Sequence, residues 1–313
     1  MDDLAGLLDG PHARDAFLLR IVMRRPWSIL VQDEAPLALI AVVRGRAWLV
    51  PEDGDPVSLR PGDVAVARGP TPYRIADDPA SDTQVIVHPG ERCTTIGGVE
   101  LVDTLALGVR TWGTDLDGPD DLLVGTYGLE GDVSRRLLHA LPPLVIVRGS
   151  ELGSPIVDVL RAEMAKDHQG QEAVLDRLLD VLLIATLRTW LDRPEAEAPA
   201  WYRAHGDPIV GRALRLMYHH PAERWTVASL AAESGVSRAA LARRFTDLVG
   251  EPPMAFLTEW RLSLAADLLR DPDQTLAAVA QRVGYSSAFA LSTAFKRSRG
   301  ISPREHRLAA VAG

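Results

Sequence analysis

Leu241, Phe245, Gly250 and Pro253 return as Leu291, Phe295, Gly300 and Pro303, each displaced by 50 residues, and Gly235 returns as Gly284, displaced by 49. This repeat constrains the chain more than any other feature, because two stretches of C-terminal sequence must obey one local structure. The one-residue slip falls in a turn. In the first copy, "TVASLAAESGVSRAALARRF" reads as a helix capped by Thr226, a tight turn at Gly235 and a second helix capped by Ser237. In the second, "TLAAVAQRVGYSSAFALSTAF" reads the same way, with Thr275 as cap, Gly284 in the turn, and Ser286 or Ser287 opening the last helix. Helix, Gly-containing turn, helix is the helix-turn-helix arrangement.

Helical spacing sorts the residues that could meet a duplex. Leu241, Phe245 and Leu248 recur at core spacing, which leaves Ala239, Ala242, Arg243 and Thr246 on another face behind the capping Ser237. Arg243 is the candidate base reader, since arginine donates two hydrogen bonds to guanine O6 and N7; Arg238 and Arg244 are expected at flanking phosphates. The counterpart of Arg243 in the second copy is Thr293. Thr293 and Phe289 cannot make that bidentate contact, though both can pack on a thymine methyl. The first copy is therefore expected to carry specificity. The second, with Ser286, Ser287, Phe289 and Thr293, is expected to hold the duplex through Lys296 and Arg297, with Arg299 as a further candidate. The competing reading makes these solvated side chains on a plain helix pair. Between the copies, "PPMAFLTEWRLSLAADLLR", Pro252 to Arg270, reads as one helix ~27 Å long. That length sets two recognition helices about one DNA turn, ~34 Å, apart.

The charge balance divides the same way. Residues 1–200 hold 19 Lys/Arg against 32 Asp/Glu, a balance of −13, and residues 201–313 hold 15 against 10, or +5, giving the −8 of the chain. A modestly basic C-terminal domain suits phosphate contacts, and the acidity belongs to the part before it.

That earlier part opens with strand-like text. From Trp27 to about His88, runs such as "LALIAVVRGRAWLV" and "VSLRPGDVAVARG" are separated by Pro, Gly and Asp, and "TLALGVRTW", "LLVGTYGLE" and "LVIVRGS" continue them around a helix-like "VSRRLLHAL". Short strands at regular spacing predict an antiparallel barrel or sandwich over residues 1–153. Helical text follows over 154–192, with Ser154 as N-cap and Pro155 at the first helical position. The stretch Gln171 to Leu191 is too widely apolar for one stripe, so it must bury two faces. One face can cover the strands and the other a second subunit, unless both lie within the monomer. Residues 193–207 read as a Pro- and charge-rich linker before a domain spanning 208–313. No stretch approaches the ~18 apolar residues of a membrane span, and the acidic start does not read as a secretion signal, so a cytoplasmic location is expected.

Two helix-turn-helix units on a long linking helix, ending "GYSSAFALSTAFKRSRGISPREHR", resemble the DNA-binding domain of the AraC/XylS family of bacterial transcription regulators. The segment before them, with "VVRGRAWLV", "LRPGDVAVARG" and "LLHALPPLVIV", is similar to the cupin-type sensing domain of one branch of that family. The resemblance implies an α+β multidomain protein: a cupin-like antiparallel β-barrel followed by helices, then an all-α domain with two helix-turn-helix units. It implies a homodimer that binds promoter DNA in response to a small-molecule effector, with RNA polymerase as a further partner, and no enzyme activity. Family members commonly show Arg at Thr293, an aromatic at Arg299 and Tyr at His306, so this chain departs at all three.

Metal-dependent cupins resemble one another in a cluster of histidines and a glutamate, which this sequence lacks; Tyr73 stands where a ligand histidine often falls. Neither a metal nor another cofactor is expected, and the alternative of a metal-dependent cupin enzyme tied to DNA falls with it. A second alternative is a redox-responsive regulator: the single cysteine, Cys93, lies beside Arg92 and near His88 in "HPGERC", which could lower the thiol's pKa, or it is an inert small core residue. The favoured effector site is the barrel interior, with Trp27, Trp48, Tyr73, Trp112 and Tyr127 as walls and Arg46, His88 or Arg110 as polar anchors.

Overall fold

In a computed structural model the protein is described over residues 17–90, 92–108, 110–127, 138, 141–153, 155–166, 168–193 and 198–312. Described residues 17–127 and 141–193 make one compact unit, and 198–312 with Leu138 fall in another. The N-cap expected at Ser154, the acidic start and nearly all of "VSRRLLHAL" lie outside the described residues.

The first unit holds β1 (Phe17–Met23), β2 (Ser28–Val31), β3 (Leu37–Arg44), β4 (Ala47–Pro51), β5 (Val57–Leu59), β6 (Val64–Arg68), β7 (Tyr73–Ala76), β8 (Val85–His88), β9 (Arg92–Thr95), β10 (Ala106–Gly108), β11 (Thr111–Gly113), β12 (Asp120–Tyr127) and β13 (Leu144–Val147). One sheet runs β10-β11-β1-β12-β3-β6-β13 and the other β5-β4-β7-β2-β8-β9. Their inner faces meet because alternate residues point the same way: Ile21, Met23, Ile40 and Val42 of one sheet pack with Ile29, Leu49, Ile75 and Val85 of the other. Among the described residues no ladder joins the sheets, so of the barrel and the sandwich that the strand spacing allowed, the strands form a two-sheet sandwich. β1, central in the larger sheet, begins before the stretch read as strand.

β3 is buried at every position from Leu37 to Val42, which a one-sided sheet would not give. Among the helices that follow the strands, one covers its second face. These helices are α1 (Gly149–Leu152), α2 (Ile156–Met164) and α3 (Gln171–Leu191), of which α2 packs on β3 and on α3. α3 also lies against β12, where Gly125 leaves room: a Cβ there would come within 2.7 Å of Leu179 Cδ1. The buried Tyr127 hydroxyl donates to the Leu179 carbonyl at 3.0 Å.

One fully buried carboxylate ties the far end of this sandwich together. Asp120, 0% exposed, accepts from Arg25 at 2.7 and 2.6 Å, from the Trp27 indole N–H at 2.9 Å and from the Arg46 backbone N–H at 3.0 Å. Burial pushes its pKa up, and these donors more than offset that, leaving it below the ordinary value.

The second unit is all helix: α4 (Ala200–Ala204), α5 (Val210–His219), α6 (Val227–Glu233), α7 (Arg238–Val249), α8 (Pro253–Leu269), α9 (Leu276–Arg282), α10 (Ala288–Arg299) and α11 (Pro303–Ala312). α4 sits in the stretch read as linker, because Trp201 and Ala204 bury into this unit's core. The expected caps form: Thr226, Ser237, Thr275 and Ser287 accept from the N–H three residues on, at 3.0, 3.2, 3.1 and 3.2 Å. Leu248, expected in the core, is 38% exposed; Leu241 and Phe245 are buried, and Val249, at i+8, packs beside them. Gly284 is required twice over. Its φ is +81°, and a Cβ would come within 2.8 Å of the Ala222 backbone.

Asp207 opens α5. Its Oδ1 accepts from the Ile209 and Val210 N–H groups at 3.0 and 2.9 Å, and its Oδ2 accepts from Arg244 at 2.9 and 2.5 Å. The Arg244 bonds, then the backbone donors, pull its pKa down to about 2. Its contribution is therefore complete above about pH 4 and is lost as pH falls toward about 2. Asp207→Ala is expected to lower the stability of this unit by about 1 kcal/mol at neutral pH through the lost cap alone. In urea titrations the gap from wild type should narrow between about pH 4 and pH 2; a constant gap would contradict the assignment.

Candidate nucleic-acid interface and sandwich cavity

α7 and α10 are the second helices of two pairs, α6–α7 and α9–α10, each entered through a positive-φ glycine, Gly235 at +70° and Gly284 at +81°. Each buries one leucine and one phenylalanine, Leu241 with Phe245 and Leu291 with Phe295, so the opposite faces look outward. On α7, Arg238, Ala239 and Arg243 are exposed, Ala242 is half-buried and Ser237 caps the helix. Among the described residues Arg238 and Arg243 carry no hydrogen bond or ion pair, leaving two guanidinium groups free for an anion or a base edge. Arg244, expected at a phosphate, is instead engaged by Asp207.

α10 presents a different surface. Phe289 is 81% exposed, beside the exposed Ser286 and the capping Ser287. The Thr293 hydroxyl donates back to the Phe289 carbonyl at 3.0 Å, so its methyl and the hydroxyl's acceptor lone pairs are left for an outside partner. Lys296 and Arg297 are exposed in the last turns. Arg299 is turned inward to an ion pair with Glu259 of α8 and a 3.2 Å bond to Ser263 Oγ, which takes it from the expected phosphate role.

The sandwich of the first unit holds a partly open cavity of about 530 Å³. Of the residues proposed for an effector site, Tyr73, Arg110, Trp112 and Tyr127 line it, and so does Cys93. Trp27, Arg46, Trp48 and His88 do not. Trp27 is used by Asp120, and the Arg46 side chain is exposed. Trp48 precedes the inward Leu49 and so faces away; His88 follows the lining Val87 and binds Gln32 at 3.2 Å and Thr94 at 2.9 Å. Most of the wall is aliphatic, including Ile29 with Val31 and Leu19 with Ile21. Sequence reasoning sought aromatics and missed these; the signal was period-two alternation within each strand.

Two wall residues are bonded to α3: Tyr127 through the Leu179 carbonyl and Arg110 through Glu172, at 3.3 Å. Burial, with Asp180 and Asp176 nearby, pushes the Tyr127 hydroxyl well above its ordinary pKa, so it stays a donor. The environment expected to activate Cys93 is not assembled. In the β8–β9 ladder Val87 pairs with Cys93 and His88 with Arg92, so alternation puts both basic residues on the face away from the thiol. Arg92 instead meets Glu100 at 3.2 Å. Among the described residues no group of three or more His, Cys, Asp or Glu side chains could hold a metal ion, and no helix is long and apolar enough to cross a membrane.

Residues 2–192 match the family described as Cupin, and residues 230–309 the family described as Helix-turn-helix domain. Two proteins described as AraC-like transcription regulators are similar along their whole length: one from Streptomyces antibioticus is 32% identical, covering 98% of each chain, and one from Streptomyces lividans is 31% identical, also covering 98% of each. A solved structure of the DNA-binding domain of AdpA in complex with a target DNA is 34% identical, covering 34% of this chain and 96% of that one, with a TM-score of 0.32. With a cupin domain in front of a helix-turn-helix domain and relatives of the same build over the full chain, this protein belongs to the AraC family of DNA-binding transcription regulators.

Proposed function

We propose that the chain is an effector-responsive, homodimeric regulator that acts in the cytoplasm on promoter DNA and RNA polymerase. Both helix pairs serve as helix-turn-helix units on one duplex, α7 reading bases through Arg243 and α10 holding the backbone through Lys296 and Arg297. The observation that carries the DNA assignment is the pair of unengaged guanidinium groups on the outer face of α7. Arg238 meets a phosphate and Arg243 a guanine. In gel-shift assays Arg243→Ala should abolish specific retardation, while Thr293→Ala, whose hydroxyl is already bonded within the helix, should change affinity less than about threefold. Equal losses would overturn the division of labour.

The cavity supports sensing. Its volume lies in the range of small-molecule sites, about 300–1,000 Å³, and its aliphatic wall favours a largely apolar effector. Tyr127 and Arg110 tie that wall to α3, so a ligand that moves either residue biases the helix. A naphthalene-based fluorescent probe should brighten on binding wild-type protein, and Val124→Trp, which puts an indole into the cavity, should remove the gain; an unchanged gain would exclude the cavity.

α3 is also the proposed dimer element. Val174 (44% exposed) and Val181 (51%) stand with the half-buried Leu178 at i, i+7 and i+4. The exposed Arg188 continues this stripe toward the C-terminal end of the helix. Val181→Glu should convert a dimer to a monomer in sedimentation velocity, and a dimer that survives it would place the interface elsewhere.

A further inference from the structure

Phe289 is the most exposed large apolar side chain among the described residues, at 81%. It stands in the first turn of α10, at the position that Ala239 occupies on α7. One helical turn on, Thr293 replaces the counterpart of Arg243 and keeps its hydroxyl bonded to the Phe289 carbonyl. The outer face of α10 thus offers an aromatic ring and a methyl group where α7 offers a guanidinium. The cations are placed further along: Lys296 and Arg297 stand where the first copy has Thr246 and Asp247. An apolar surface followed by two cations matches one feature of a major groove, the thymine C5-methyl between backbone phosphates. The other three bases lack that methyl, and the Phe289 ring has no donor or acceptor for their polar edges.

We infer that Phe289 is a specificity-determining residue that reads thymine by its C5-methyl group, with the Thr293 methyl beside it. To the backbone contacts of Lys296 and Arg297, α10 therefore adds a smaller share of sequence information of a different kind from that of α7: apolar readout in place of hydrogen bonds. This rests on the reading of α10 as a major-groove helix. The chemistry distinguishes thymine from uracil, which keeps every hydrogen-bonding group and lacks only the methyl.

The test uses the full-length protein and a duplex enriched from a random-sequence pool by repeated binding. Each dT of that duplex is replaced singly by dU and affinity is measured by gel shift. Wild-type protein should lose about three- to tenfold at one or two positions, the effect of removing one buried methyl. Phe289→Ala should bind the unmodified duplex more weakly and treat dT and dU alike at those positions, and Phe289→Leu should restore part of the preference. The inference is overturned if no dU substitution weakens wild-type binding beyond about twofold, or if the sensitive positions stay sensitive in Phe289→Ala. Failure to enrich any duplex would instead bring down the DNA-reading assignment on which it rests.

Discussion

α8 organises the DNA-binding unit, since both of its hydrophobic cores are built on that one helix. Phe256, Leu257 and Trp260 in its first half pack with Leu241 and Phe245 of α7, and Leu262, Ala265, Ala266 and Leu269 in its second half pack with Leu291 and Phe295 of α10. At 17 residues the helix is about 25 Å long. Its length and the rotation between its two buried faces therefore decide how far apart α7 and α10 sit and how their outer faces are turned. Its middle is tied outward by its own Arg261, which donates to the Pro221 and Glu223 carbonyls at 2.7 and 2.6 Å, and its C-terminal end is held by Arg307, which donates to the carbonyls of Leu269 and Gln274 at 3.1 and 2.6 Å. A recognition helix can be no more precise than the support behind it.

In the cupin unit the comparable role falls to β12. One of its ends carries Asp120, which gathers Arg25, Trp27 and Arg46; the other carries Tyr127, bonded to α3. Between them Val124 faces the cavity and Gly125 faces Leu179. A single strand thus has the cavity on one side and the proposed dimer helix on the other. Little displacement is needed to pass a change across it, because a packed interface shifts as a unit.

The two helix pairs were readable because short-range rules determine them: a hydroxyl at each cap, a glycine in each turn and apolar residues at helical spacing. Leu248 shows the limit, since i+7 and i+8 both approximate two turns and only packing chose Val249. The linker reading failed for a related reason. "AWYRAHGD" is Pro-flanked and polar, yet Trp201 and Ala204 find a core supplied by residues far along the chain. The cavity was half readable. Aromatic residues drew attention to Trp27 and Trp48, but side-chain direction in a strand follows parity, and parity turned Trp48, His88 and Arg92 away from the inside.

By itself the sequence determined the repeat, the caps, the division of charge and the departure at Thr293, all of which depend on residues near one another in the chain. Tertiary structure decided which of the basic residues remain available. Arg243 and Arg244 are neighbours of the same type, and only the position of Asp207, 37 residues earlier, commits Arg244 and leaves Arg243 unengaged. It likewise turned Arg299 inward to Glu259 and left Phe289 in the open. Spacing places a side chain on a face, but its availability depends on long-range partners that meet it only once the chain has folded.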